Sequence, residues 1–569
     1  MTMTSPRVPN APTGVSAHQD TFCRDRLPPR EVWPEMDFGS LAELSYPSQL
    51  NCATELLDRR IEAGDGDRTA FLFPGGRWTY RDVLEMSNRI ARVLVEDLGV
   101  VPGNRVLLRG PNSPMMVACW FAIVKAGAVV VCTMPLLRVR ELTYIADKAR
   151  ISLALCDARF AAECETAMHT TAAGAPRVGG RTVQFASNEP GSLETLMMGK
   201  PTTFQNVDTA ADDTVLIAFT SGTTGNAKGT MHFHRDVMAI CDCFPRSTAG
   251  LSRDDICCGS PPFAFTFGLG GLVLFPMRVG AASLLLEQAA PPHLIKGIHD
   301  FRPTVCWTSP TAYRAMLGLL PSHDVSSLTK CVSAGEHLPR ATFEAWERAT
   351  GIRIIDGIGA TEMLHIFISA SGNEIRAGST GRAIPGYVAQ CVDDTGNEVP
   401  RGDIGRLAVR GPTGCRYLDD PDRQCAYVEN GWNITGDSFR QDADGYFWCE
   451  ARTDDMIITG GHNVSGAEVE NVLLEHRAVQ ECGVVAAPDE ERGNVVKAVV
   501  VLRPGFDPSP ELARELQEFV KSEIAPYKYP RRVEFVEKLP RTETGKLQRF
   551  KLREHREQGA GNRDPGRPA

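Results

Sequence analysis

Nowhere in the 569 residues does an uninterrupted apolar stretch reach the ~18–20 residues of a membrane-spanning helix. The richest run, Met115 to Val130, is broken by Lys125. Met1 to Asp20 is polar and proline-rich and has no apolar signal core, so a cytoplasmic protein without membrane attachment is expected. An excess of positive charge is also missing. The net charge is −9 and the pI about 5.8, which disfavours nucleic-acid partners because these require a basic face. The 17 cysteines show no C-x-x-C spacing, and their only close pairs are Cys241/Cys243 and Cys257/Cys258. This excludes a zinc-ribbon or disulfide framework and predicts free, mostly buried thiols. There is no repeat of solenoid period.

What is present is an ordinary globular composition, 43% hydrophobic and 23% charged. The length suggests roughly 3–4 domain-sized units. After an irregular leader (1–45), helical and strand patterns alternate. Arg105–Arg109, Ala128–Cys132 and Ile151–Cys156 read as strands and Met115–Gly127 as an apolar helix, the signature of parallel sheets covered by helices. Residues 160–210 are less patterned and read as surface excursions. A second α/β stretch runs from Thr214 to Val388, with strands at Thr304–Trp307 and Lys330–Ser333. Short strands such as Gly405–Gly411 and Gly445–Cys449 then suggest a small β-rich lobe. Past Arg452 the style changes again. A capping box at Ser465–Glu468 precedes a helix, strands are expected at Cys482–Ala487, Val495–Leu502 and Val533–Val536, and a helix at Pro510–Ile524. The expected class is α/β: a large domain over 46–451, a small α+β domain over 452–555 and a polar, disordered tail over 556–569.

Five segments carry candidate chemistry. Thr220-Ser-Gly-Thr-Thr-Gly-Asn-Ala-Lys-Gly229 follows the apolar strand Thr214–Phe219. Glycines let backbone N–H groups approach an anion, hydroxyls add donors and Lys228 adds a point charge, so this is a phosphate cradle. It is not a Walker A loop, because no Gly-Lys-Ser/Thr closes it. Asp356-Gly-Ile-Gly-Ala-Thr-Glu362 reads as a Gly-rich turn with a hydroxyl (Thr361) and a carboxylate (Glu362) suited to Mg²⁺. Trp432-Asn-Ile-Thr-Gly-Asp437 places a carboxylate after a tight turn, where it can accept from the hydroxyls of a ribose. Arg452-Thr-Asp-Asp-Met-Ile-Ile-Thr-Gly-Gly-His-Asn463 reads as a hinge or a plain linker, and Pro540-Arg-Thr-Glu-Thr-Gly-Lys546 as a loop ending in lysine. Taken singly, each is equally an ordinary loop.

In this order and at these distances, the five segments resemble the signatures of the adenylate-forming superfamily, the acyl-CoA synthetases and their relatives, over about residues 50–550. Gly357-Ile-Gly-Ala-Thr-Glu-Met-Leu-His-Ile-Phe367 resembles benzoate-CoA ligases. Pro261-Pro-Phe-Ala-Phe-Thr-Phe-Gly-Leu-Gly270, Thr230–Asp236 and the leader Asp20–Pro29 resemble the 2-aminobenzoate-CoA ligase branch. The resemblance implies ATP, Mg²⁺ and coenzyme A as cofactors and a small aromatic carboxylic acid as substrate. The acid would attack the α-phosphorus of ATP, pyrophosphate would leave, and the coenzyme A thiolate would then displace AMP.

By the same resemblance, Thr220, Ser221, Gly222, Thr223, Thr224, Gly225 and Lys228 hold the β/γ-phosphates. Thr361 contacts the α-phosphate, Glu362 binds Mg²⁺ and Asp437 grips the ribose with Arg452 nearby. Lys546 pairs with the carboxylate and the α-phosphate. Asp454 is the hinge of a mobile C-terminal domain, and Gly460 and Gly461 line the pantetheine tunnel. Phe265, Phe267, Gly268, His365 and Ile366 are the acyl-pocket candidates. His232 and His234 have the spacing of a metal pair, but no further ligand joins them and they read as structural. The chain departs from the pattern at Ala227, where relatives usually carry proline, and at His462, where tyrosine or glutamate is usual. Two other readings stay open at this point: an adenylating enzyme that loads a carrier protein's phosphopantetheine, and a non-enzymatic adenylate-binding protein.

Overall fold

The structure is a computed structural model and describes residues 14–220, 227–336, 338, 340–452, 456–489, 491–540 and 549–554. The chain divides into two compact units, with the break at residues 454 and 455.

The first unit is built on three sheets. The six-stranded sheet runs in the order Arg181–Phe185, Leu153–Asp157, Arg105–Arg109, Val129–Thr133, Thr214–Thr220, Lys228–Phe233. All its neighbours are parallel except the last pair, a hairpin. Its central strand Arg105–Arg109 is buried at every position, as expected of a parallel strand covered on both faces. Burying Arg109 is tolerated because its guanidinium donates to the carbonyls of Met134 (2.7 Å), Pro135 (2.8 Å) and Leu137 (2.9 Å). The apolar helix spans Pro114–Lys125, with proline at its first position and Ser113 accepting from the Met116 N–H. Lys125, which interrupts the apolar run, is fully buried and ion-paired to Asp58 at 2.6 Å. The segment 160–210 is more ordered than its composition suggests. It supplies the helix Ala161–His169 and the edge strand Arg181–Phe185, whose Val183 and Phe185 alternate inward with period two.

The nine-stranded sheet runs Arg382–Ala383, Ile366–Ser369, Ile354–Gly359, Lys330–Ser333, Val305–Thr308, Ile256–Gly259, Ala282–Leu284, Thr69–Phe73, Gly76–Thr79. It is parallel from Ile354–Gly359 through Thr69–Phe73 and antiparallel at both edges. The third sheet is antiparallel and includes Val388–Val392, Ile404–Arg410, Trp432–Gln441 and Phe447–Arg452. The leader does more than lie on the surface: Phe22 and Cys23 are buried, and Met36 bridges to Gly411.

The second unit holds the hairpin Met456–Thr459/His462–Ser465 and a three-stranded sheet of Val479–Asp489, Gly493–Leu502 and Arg532–Phe535. Its helices include Gly466–Glu475 and Pro510–Glu523. All 17 cysteines are free, and most are buried. Among the described residues no helix is long and apolar enough to cross a membrane, and no cluster of three or more histidine, cysteine, aspartate or glutamate side chains is arranged to hold a metal.

Candidate active site

The hairpin Thr214–Thr220/Lys228–Phe233 pairs Thr220 with Lys228, the two described residues nearest the ends of its strands on either side of the hydroxyl- and glycine-rich segment. Ser221, Gly222, Thr223, Thr224 and Gly225 lie outside the described residues, as do Asp454 and Lys546. At the hairpin's mouth the Thr220 Oγ1 is buried with no hydrogen-bond partner.

Lys228 and Glu362, 134 positions apart, meet directly: Nζ lies 2.7 Å from Oε1. The Tyr417 hydroxyl completes the cluster, donating to the same Oε1 at 2.5 Å and accepting from Lys228 Nζ at 3.1 Å. Tyr417 is brought there by backbone pairing. The Met231 N–H donates to the Arg416 carbonyl and the Leu418 N–H to the Gly229 carbonyl, both at 2.8 Å, so residues 416–418 run alongside the Lys228 strand. Sequence reading missed this tyrosine, because Gly414-Cys-Arg-Tyr-Leu418 carries no spacing or composition that marks a polar role. Burial alone would push the Glu362 carboxyl up. The Lys228 charge and the hydrogen bonds from Lys228 and Tyr417 outweigh it and hold the pKa below the ordinary value of 4.5.

Thr361 and Glu362 belong to a short helical turn, Thr361–Met363, that follows the strand Ile354–Gly359. The glycines before it are therefore strand residues rather than parts of a turn. A Cβ on Gly357 would meet Ile366 Cγ2 at 2.8 Å, and one on Gly359 the His365 carbonyl at 2.7 Å, so close strand approach requires them. The Thr361 carbonyl is held by His232, whose Nε2 lies 2.8 Å away. Burial lowers the His232 pKa to about 4 and keeps the ring neutral, so this nitrogen donates. His232 thus ties the strand Lys228–Phe233 to the turn that carries Thr361 and Glu362.

Asp437 sits in the long strand Trp432–Gln441 rather than after a turn. Thr435–Asp437 form a bulge opposite Leu407, with Gly436 at φ +76°. Asp437 is the direct cross-strand partner of Arg452. Gly460 and Gly461 occupy the two-residue turn of the second unit's hairpin, with φ of +54° and +79°, and this turn geometry by itself calls for glycine.

The acyl-pocket candidates converge in part. His365 is buried and ringed by aromatic side chains: its centroid lies 4.4 Å from Phe275, 5.7 Å from Phe267, 5.9 Å from Phe244 and 6.2 Å from Trp307. Phe244, Phe275 and Trp307 were not legible as neighbours, because they come from three separate elements. Neither ring nitrogen of His365 makes a hydrogen bond of normal geometry, although the Phe267 backbone lies close enough to favour the charged form slightly. Burial dominates and pushes the pKa down to about 3, so the imidazole is neutral. A Cβ on Gly270 would meet His365 Cδ2 at 2.5 Å, and Ile366 is buried beside it in sequence. Gly268 is packed against the Pro261 and Pro262 carbonyls, and the Phe265 N–H donates to the Pro262 carbonyl at 3.0 Å.

Asp356 directly precedes Gly357 in the strand Ile354–Gly359. Its Oδ1 is buried without a hydrogen-bond partner, and burial pushes the carboxyl pKa up to about 8. The unfolded chain releases this proton near pH 3.8 and the folded chain holds it to about 8, so the group costs stability increasingly as pH rises through that window. Asp356→Asn should raise the melting temperature at pH 8 by ~2–4 °C, the shift about 1 kcal/mol produces in a large domain, and leave it unchanged at pH 4. Scanning calorimetry at the two pH values reads this; equal shifts at both would contradict the raised pKa.

The family model described as "AMP-binding enzyme" matches residues 57–416, and the one described as "AMP-binding enzyme C-terminal domain" matches residues 468–546. The benzoate-CoA ligase of Thauera aromatica is 32% identical over 90% of this chain and 97% of its own. Among solved structures, the anthranilate CoA ligase AuaEII in complex with anthranoyl-AMP is 36% identical, with a TM-score of 0.70 over 90% of this chain and 98% of that one. A benzoate CoA ligase from Burkholderia xenovorans LB400 is 31% identical, with a TM-score of 0.66 over 89% of this chain and 100% of that one.

Proposed function

Because this chain belongs to the AMP-binding enzyme family, as an acid–thiol ligase of the acyl-CoA synthetase class, we propose that it is an ATP-dependent aryl-CoA ligase for a benzoate-type acid, with 2-aminobenzoate as its leading candidate. The observation that carries this reading is His365, a buried neutral imidazole with unpaired nitrogens set in a wall of Phe244, Phe267, Phe275 and Trp307. Flat aromatic faces suit a planar ring. An unpaired buried nitrogen suits a polar substituent on that ring, since leaving it without a partner costs about 1–3 kcal/mol.

In this reading the acid's carboxylate oxygen attacks the α-phosphorus of ATP, and the bond to pyrophosphate breaks. The thiolate of coenzyme A then attacks the acyl carbon, and AMP leaves. Lys228, with the loop Thr220–Gly225, offsets charge on the leaving phosphates, and the Thr361 hydroxyl donates to the α-phosphate. Asp437 accepts from the ribose hydroxyls, with Arg452 across the strand pair. Glu362 is a hard oxygen donor kept ionised, so it fits Mg²⁺, which would supply charge neutralisation on the phosphate oxygens. From the second unit, Lys546 would pair with the carboxylate and α-phosphate, Asp454 would be the hinge of its rotation, and Gly460 and Gly461 would line the thiol's path. Phe265, Gly268 and Ile366 would complete the acyl pocket. Such a reaction suits a cytoplasmic enzyme with small-molecule partners.

The test is an acid-dependent pyrophosphate-release screen over benzoate, its amino and hydroxy derivatives, phenylacetate and medium-chain fatty acids. Aromatic acids should lead by at least ~10-fold in kcat/KM. His365→Leu should lower kcat/KM for 2-aminobenzoate ~10-fold more than for benzoate, as expected when a buried substituent is deprived of its one polar partner. Equal or faster turnover of fatty acids would reject the aryl assignment.

A further inference from the structure

The cluster of Lys228, Glu362 and Tyr417 is held from behind by a part of the chain far away in sequence. Arg416 and Tyr417 are consecutive in an extended segment, so their side chains point to opposite faces. Tyr417 faces Glu362, and Arg416 faces the leader. The Arg416 guanidinium is fully buried and pairs with Asp236 at 2.7 Å. Its Nε has no hydrogen-bond partner, and its Nη2 reaches only Met36 Sδ, at 3.8 Å. What encloses it otherwise are two ring faces: Phe233, with its centroid 4.0 Å from the guanidinium carbon, and Trp33 of the leader, at 5.0 Å. Such cation–ring interactions matter most when desolvated, as here.

The leader also holds the backbone of this segment. The Val32 carbonyl accepts from Gln424 Nε2 at 2.9 Å, and the same buried Gln424 accepts from the Tyr417 N–H at 2.9 Å through Oε1. Trp33 itself is fixed by its indole N–H, which donates to the Pro28 carbonyl at 2.7 Å. The leader is pinned alongside by the Glu35 N–H to the Gly431 carbonyl, the Asp37 N–H to the Gly411 carbonyl and the Glu35–Arg410 ion pair at 2.8 Å. A second path leaves the Arg416–Asp236 pair: Asp236 Oδ2 lies 3.9 Å from His232 Nδ1, and the far side of that ring holds the Thr361 carbonyl.

We propose that Trp33 is a positioning residue for the nucleotide site, acting through Arg416 to hold the Tyr417 hydroxyl between Lys228 and Glu362. The inference rests on the reading of that cluster as the site of ATP and its metal. Trp33 touches no substrate in this account. It sets the register of the segment whose next residue does the bridging.

A double-mutant cycle of Trp33→Ala and Tyr417→Phe tests it, read first by calorimetric titration of Mg-ATP in the absence of acid and then by KM and kcat in pyrophosphate release. Trp33→Ala should weaken Mg-ATP binding by about 10-fold, the scale of lost outer-shell support, and raise KM for Mg-ATP while leaving KM for coenzyme A unchanged. Trp33→Phe, which keeps a ring face, should restore most of the affinity. The double variant should bind no more weakly than Tyr417→Phe alone, because both changes remove the same bridge. Additive losses in the cycle would overturn the proposal. So would a fall in kcat with Mg-ATP affinity unchanged, the mark of a merely structural leader. If Trp33→Ala does not yield folded protein, Trp33→Leu keeps the apolar volume without the ring face and carries the same cycle. A wild-type protein that shows no saturable Mg-ATP binding would reject the nucleotide-site reading itself, and the proposal with it.

Discussion

Replacing Glu362 by glutamine should cut acid-dependent pyrophosphate release by ~10²–10³-fold, the scale of one preorganised electrostatic group, and raise the Mg²⁺ concentration needed for half-maximal rate. The substitution keeps the volume and one acceptor, so the Lys228 and Tyr417 hydrogen bonds survive and the fold should not change. What disappears is the negative charge. In the wild type that charge resists protonation: burial raises the carboxyl pKa, but Lys228 and the two hydrogen bonds bring it below 4.5. A depressed carboxylate contributes stability above its unfolded pKa and loses it as pH falls through the folded value. The ion pair should thus hold across the neutral range and release only below the ordinary carboxylate titration. Release kinetics measured against Mg²⁺ check both parts. Unchanged Mg²⁺ dependence in the variant would remove Glu362 from any metal role.

Lys546→Ala should slow adenylate formation by ~10²–10³-fold while leaving thioester formation from supplied acyl-AMP within about threefold of wild type. A fixed cation between the attacking carboxylate and the α-phosphate matters where negative charge accumulates, which is the first half-reaction. The second starts from a mixed anhydride whose acyl group is uncharged and whose phosphate keeps a single negative charge, and it asks different groups of the protein. Burst measurements of pyrophosphate, set beside thioester formation from synthetic acyl-AMP, separate the two. Equal loss in both halves would place Lys546 elsewhere in the cycle.

Strands such as Arg105–Arg109 and Lys330–Ser333 are legible because parallel strands buried over most of their length read as short apolar runs between turn signals. The strand Arg181–Phe185 was not, since an edge strand with polar residues on one face hides among glycine, alanine and threonine. The sequence places Gly357 and Gly359 in a turn, because composition cannot distinguish a glycine needed for positive φ from one needed for close strand approach. Of the site, Lys228 and Glu362 were found because charges beside glycines stand out. Tyr417 was not, because its role depends on the backbone pairing of 416–418 with 229–231, which joins segments almost 190 positions apart. His365 was named, but its ring of Phe244, Phe275 and Trp307 is a product of tertiary packing with no local trace.

The direct pairing of Lys228 with Glu362 makes the two charges each other's counterion before any triphosphate arrives. A bare, metal-free nucleotide would draw the lysine away and leave a buried carboxylate facing four negative charges with nothing between them. If the cluster binds the triphosphate as proposed, it would select against the uncomplexed anion, and against inorganic phosphate, without any residue devoted to that purpose: entry would be open to a ligand that brings its own cation as a substitute for the lysine it takes.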